Sequence, residues 1–124
     1  MKYKKDKFFS LLEEYFSSCL PIAKGLSEKT IVSYKTAFRL LFEYLIIKEE
    51  IPAVKIVFST LTVECIQRFL DWLENDRQCS VSTRNQRLSA IASFADFAQS
   101  RDFGNASVFR KNIMASGCSF RDWP

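Results

Sequence analysis

The sequence predicts an all-α fold, a bundle of four or five helices, on three observations. Only three glycines and three prolines punctuate 124 residues, so long uninterrupted elements are expected. Apolar side chains recur every three or four positions, the spacing that stripes one face of a helix. No two segments show the alternation of paired strands, and there is no internal repeat or low-complexity tract. A mass of 14.4 kDa with 48% hydrophobic residues fits one compact domain with its own core.

The first helix is expected over about residues 7–19, where Phe8, Leu11, Leu12, Tyr15 and Phe16 share a face. Leu20-Pro21 and Gly25 should stop it, and Ser27 is placed to cap the next. That second helix, about residues 28–48, carries Ile31, Tyr34, Phe38, Leu41 and Leu45 as its stripe and would be roughly 30 Å long. Residues 49–61 read as an ordered connector, because Pro52 breaks the helix and Val54 to Phe58 has the composition of a short strand. Thr62 caps a third helix reaching about Asp76, with Cys65, Ile66, Phe69, Leu70, Trp72 and Leu73 inward. Ser82 opens a fourth helix to about Ser100 with the stripe Leu88, Ile91, Phe94, Ala95 and Ala98. Gly104 ends that region, and residues 105–114 can add one short helix.

Composition excludes much chemistry. There is no histidine, which removes Ser-His-Asp and Cys-His nucleophiles and any histidine acid or base. Cys19, Cys65, Cys79 and Cys118 are too scattered for a zinc knuckle and read as reduced thiols of a cytoplasmic protein. No metal site or cofactor is expected. The basic start resembles a secretion signal until Glu13-Glu14 interrupts the apolar run, and no stretch reaches the roughly 20 apolar residues of a membrane span.

Charge is uneven along the chain. The net charge is +4 and the pI about 8.9. Residues 24–39 carry Lys24, Lys29, Lys35 and Arg39 against Glu28, and residues 77–101 carry Arg77, Arg84, Arg87 and Arg101 against Asp96, so each window is net +3. Residues 62–76 hold Glu64, Asp71, Glu74 and Asp76 against Arg68, a net of −3. Polar rows accompany the basic windows: Lys29, Thr30, Ser33 and Thr36 on the second helix, and Asn85, Gln86, Ser89 and Ser93 on the fourth. Amides and hydroxyls in such rows suit contact with DNA, where Asn and Gln pair with adenine and hydroxyls reach phosphate. A solvated polar face with no partner fits the same residues.

Leu26-Ser-Glu-Lys-Thr-Ile-Val-Ser-Tyr34, with Phe38 and Phe42-Glu-Tyr-Leu45, resembles the opening helices of the core-binding domain of tyrosine recombinases, the phage-integrase and Xer-type group. Ser80-Val-Ser-Thr-Arg-Asn-Gln-Arg-Leu-Ser-Ala-Ile-Ala-Ser-Phe-Ala-Asp-Phe97 resembles the family's last long helix, and Leu61-Thr62 with Ile66 and Phe69-Leu70 the helix between. The resemblance covers about residues 8–104 in order. It implies a SAM-like domain that clamps one face of double-stranded DNA, with other recombinase protomers on DNA as further partners. It places DNA contact at Lys29, Thr30, Ser33 and Thr36, and at Ser82, Thr83, Asn85, Gln86 and Arg87.

Two positions depart from the family pattern, since Ala92 and Gln86 stand where relatives often carry Arg. Catalysis in the family uses a Tyr nucleophile with Arg, Lys and His partners, and the expectation here is a DNA-binding module without a catalytic domain. Its organisation would be a basic arm at residues 1–7, the core-binding domain at 8–104, and a tail or interdomain linker at 105–124, where Asn105-Ala106 replaces the family's Asn-Pro. The alternative is an α-helical protein–protein interaction module of SAM-like shape, suggested by 12 Phe, 2 Trp and 4 Tyr.

Overall fold

The computed structural model describes residues 7–116; most of the basic arm, and the tail from 117 onward with Cys118, lie outside them. It contains five α-helices and, among the described residues, no strand. They are α1 (Phe8–Glu14), α2 (Glu28–Ile47), α3 (Val63–Asn75), α4 (Val81–Arg101) and α5 (Phe103–Ala115). The protein is the all-α, SAM-like bundle that the sequence predicts.

The first helix does not stop at Leu20-Pro21. It widens into a π-helical stretch, Tyr15–Ala23, that runs through Pro21. In an α-helix the Pro21 ring would crowd the carbonyl of Ser17, and the wider turn relieves that clash. The stretch ends where the Lys24 amide donates to Cys19 O (2.8 Å) and the Leu26 amide to Leu20 O (2.9 Å), around Gly25 at φ 61°. The same stop recurs after α2 and α3, around Glu50 (φ 57°) and Gln78 (φ 55°), neither of which is glycine.

Caps set the starts of α2 and α3 as expected. Ser27 Oγ accepts the Thr30 amide at 3.2 Å, and Thr62 Oγ1 accepts the Cys65 amide at 3.1 Å. The fourth helix is capped by Ser80, whose Oγ accepts the Thr83 amide at 3.1 Å, so Ser82 lies inside its first turn. At the other end Gly104 also lies inside a helix, and the break falls at Asp102, which alone separates α4 from α5.

The expected strand at Val54 to Phe58 is a pair of 3-10 turns, Ala53–Lys55 and Phe58–Thr60. No partner strand is present among the described residues, and the backbone is satisfied locally: Lys55 N donates to Pro52 O, and Thr60 Oγ1 accepts from Val57 N and donates to Lys55 O. Ile56, Phe58 and Leu61 anchor the connector in the core, and Asn112 Nδ2 of α5 donates to Leu61 O at 3.1 Å.

α4 is the central helix, packing most extensively on α5 and also on α1, α2 and α3. It therefore buries Ala90 and Ala92 in addition to the predicted stripe. The aromatic residues largely fill the core. Phe94 touches the rings of Phe8, Tyr15, Phe38, Phe58 and Phe109 at centroid distances of 5.4–6.3 Å. Ala106, Phe109 and Ile113 of α5 belong to the same core.

Candidate nucleic-acid interface

The N-terminal halves of α2 and α4 lie side by side and leave a shallow trough of about 210 Å³ between them. Ser33 and Tyr34 line it from α2, and Gln86, Ser89 and Ala90 from α4. The two polar rows that the sequence sets on separate helices thus meet at Ser33 and Gln86. The hydroxyls of Ser33, Tyr34 and Ser89 and the carboxamide of Gln86 have no hydrogen-bond partner among the described residues.

The other expected contact residues are placed differently. Lys29 is exposed one turn before Ser33, and Ser82 is exposed one turn before Gln86. Thr30 and Thr83 are drawn into the caps, their hydroxyls 3.0 Å from Ser27 Oγ and 3.1 Å from Ser80 Oγ. Thr36 Oγ1 donates back to Val32 O at 3.0 Å. Asn85 Oδ1 accepts from Arg84 Nη2 at 3.0 Å. Ser93 is not on the open face at all, because its hydroxyl is held at 2.5 Å by Tyr15 OH from the π-helical stretch. Burial raises the Tyr15 phenol well above its usual range, so this hydrogen bond joins neutral hydroxyls.

Ion pairing redraws the charge map. Of the arginines in the second basic window, Arg77 pairs with Glu43 (3.3 Å), Arg84 with Glu74 (2.9 Å) and Arg101 with Glu14 (2.5 Å). Arg39, Arg68 and Arg110 also hold carboxylates, those of Glu43, Glu49 and Asp96. Arg87 is the one arginine among the described residues without an ion-pair partner, and its Nε is buried with no hydrogen bond. Lys24, Lys29 and Lys35 around the start of α2 are likewise unpaired, Lys35 lying 5.9 Å from the Phe16 ring centroid. The +3 of the fourth-helix window is therefore mostly neutralised, and within the two basic windows the cations without a carboxylate among the described residues are Arg87 and the three lysines.

Sequence reasoning missed Tyr34 as a trough residue, whereas Ser89 stood in its polar row without being placed among the DNA contacts. Tyr34 reads as part of the apolar stripe, yet it sits at the edge of that stripe and is only half buried. Its position beside Ser33, with a polar tip on an aromatic body, is the signal that could have flagged it. Among the described residues that line the trough, no carboxylate or amine stands beside the Ser33, Tyr34 and Ser89 hydroxyls. Among the described residues no group of acidic and cysteine side chains could hold a metal ion, and no helix is long and apolar enough to cross a membrane.

Residues 12–102 match the family described as phage integrase, N-terminal SAM-like domain. The chain is 34% identical over 101 residues to "Putative integrase/recombinase y4rD" of Sinorhizobium fredii, covering 82% of this chain and 36% of that protein. It is 38% identical over 88 residues to "Putative integrase/recombinase y4rC" of the same organism, covering 71% of this chain and 26% of that protein. The chain thus spans well under half the length of these relatives. No solved structure matches it.

Proposed function

The chain belongs to the phage-integrase N-terminal SAM-like domain family, and from that premise we propose that it is the DNA-binding module of an integrase or tyrosine recombinase, gripping duplex DNA with the face formed by the first halves of α2 and α4. The observation that carries this reading is Arg87. A half-buried guanidinium with no carboxylate partner among the described residues is a charge the fold leaves unneutralised, and a bound anion would balance it. Lys24, Lys29 and Lys35 supply further unpaired charge, while Ser33, Tyr34, Gln86 and Ser89 supply neutral donors between the two helices. The expected contact set remains Lys29, Thr30, Ser33, Thr36, Ser82, Thr83, Asn85, Gln86 and Arg87. The strongest weight falls on Lys29, Ser33, Gln86 and Arg87, whose polar ends the fold leaves unpaired.

Cytoplasmic action and association with other protomers on DNA follow from this role, and strand cleavage belongs to a catalytic domain distinct from this bundle. Fluorescence polarisation with a labelled duplex at two salt concentrations tests the proposal. Micromolar or tighter binding that weakens steeply with salt supports it, and absence of binding at micromolar protein contradicts it. A second reading, a helical module that binds protein, draws on Phe103 and Val108 of α5, which are 67% and 58% exposed beside a groove lined by Phe58 and Phe109. Dimerisation independent of DNA would favour it.

A further inference from the structure

Resting on the DNA-binding reading above, we infer that the trough between α2 and α4 seats one sugar–phosphate strand of the duplex, so that Ser33, Tyr34, Gln86 and Ser89 bond phosphate oxygens and not base edges. Shape is the first argument. Bases lie at the floor of a major groove about 8.5 Å deep, and a protein reaches them with a convex element that enters the groove. The trough is concave, about 210 Å³, with Ala90 in its lining where a longer side chain would fill it. The part of a duplex that projects into a concavity is its backbone ridge.

Chemistry is the second argument. Among the described residues, three hydroxyls and a carboxamide line the trough, and no carboxylate does. Each can donate to a phosphate oxygen, the commonest acceptor in protein–DNA recognition. The contrast with neighbouring residues is consistent: the hydroxyls of Thr30, Thr36 and Thr83 are committed to protein partners, whereas the four trough groups are not. Positive charge stands beside the trough and not within it, on Lys29 one turn before Ser33 and on Arg87 next to Gln86. That arrangement matches a strand whose phosphates are hydrogen-bonded by neutral groups and balanced by flanking cations. It also predicts that Gln86, which could pair bidentately with adenine on an exposed helix, does not read sequence here.

The test is a polarisation titration of the full chain against several duplexes of unrelated sequence, with Gln86→Ala and Ser33→Ala compared with the unaltered chain and helicity checked by circular dichroism. Each substitution should weaken binding about fivefold, the effect of removing one neutral hydrogen bond, by the same factor on every duplex. The slope of affinity against salt should not change, because no charge is removed. A loss confined to one sequence, so that Gln86→Ala reorders the duplexes, would overturn the inference in favour of base reading, and so would unchanged affinity for both variants. If the unaltered chain retains no duplex, the DNA-binding reading fails and this inference with it.

Discussion

Two regions of this bundle carry similar numbers of cations and use them differently. Around the C-terminal end of α2 and along α3, Arg39 and Arg77 converge on Glu43, Arg68 grips Glu49 through both carboxylate oxygens (2.8 and 3.2 Å), and Lys48 lies 3.7 Å from Asp76. In the N-terminal halves of α2 and α4, Lys29, Lys35 and Arg87 have no carboxylate partner among the described residues, and a trough of unpaired donors lies between the two helices. The first region spends its charge within the fold. The second leaves it unpaired among the described residues. A net charge of +4 says little about a partner until the internal pairs are subtracted.

Both regions hang on one core, so the largest effect comes from breaking it. Phe94→Ala removes a ring that packs against five others and should cost about 3–5 kcal/mol, seen as a large fall in the urea midpoint and loss of DNA retention together. Charge reversal separates the regions. Lys29→Glu with Arg87→Glu should weaken duplex binding by roughly tenfold or more while the helical signal persists. Arg68→Gln with Arg77→Gln should leave affinity within about twofold, because those cations are already engaged.

The paired region should reveal itself in stability at acid pH. Hydrogen bonds from the Arg68 guanidinium, with a further one from Tyr44 OH at 2.5 Å, hold the Glu49 carboxyl below its usual range against the opposing effect of burial. A carboxyl depressed in the folded state stabilises above its unfolded value, near 4.3, and that contribution is lost as pH falls through the folded value. Glu49→Gln should cost about 1 kcal/mol at neutral pH. It should also flatten the decline of unfolding free energy below about pH 4.3, measured by denaturant titration across pH. The smallest effect is expected at the turn after α3, where Gln78→Gly relieves a left-handed backbone and should stabilise by about 0.5–1 kcal/mol.

Local chemistry was readable from the sequence, and non-local chemistry was not. Ser27 and Thr62 announce their helices because a hydroxyl cap and the amide it serves are three residues apart, and all six inward residues expected of α3 are buried because that helix has a single wet face. The start of α4 was placed at Ser82 and lies at Ser80, since both serines precede the apolar stripe and only the hydrogen bond to Thr83 picks out Ser80. The depth of α4 was under-read for a different reason. Packed on four other helices, it buries Ala90 and Ala92 off the stripe, and small residues leave almost no periodic signal.

The candidate face was half legible. The polar rows on α2 and α4 stand in the sequence, but their meeting at Ser33 and Gln86 depends on packing. So does the neutralisation of Arg101 by Glu14, far apart in the chain, and of Arg84 by Glu74 on the preceding helix. Pro21 misled for a physical reason, because a proline ends an α-helix but can be carried by a wider turn.

The most direct measurement is the salt dependence of duplex affinity for three proteins: the unaltered chain, Lys29→Ala with Arg87→Ala, and Arg68→Ala with Arg77→Ala. Each phosphate that is no longer neutralised should reduce the log–log slope by about 0.9, so the first double variant should flatten the slope by close to two such steps and the second should leave it unchanged. Equal slopes for the two double variants would contradict the assignment of DNA binding to the α2–α4 face.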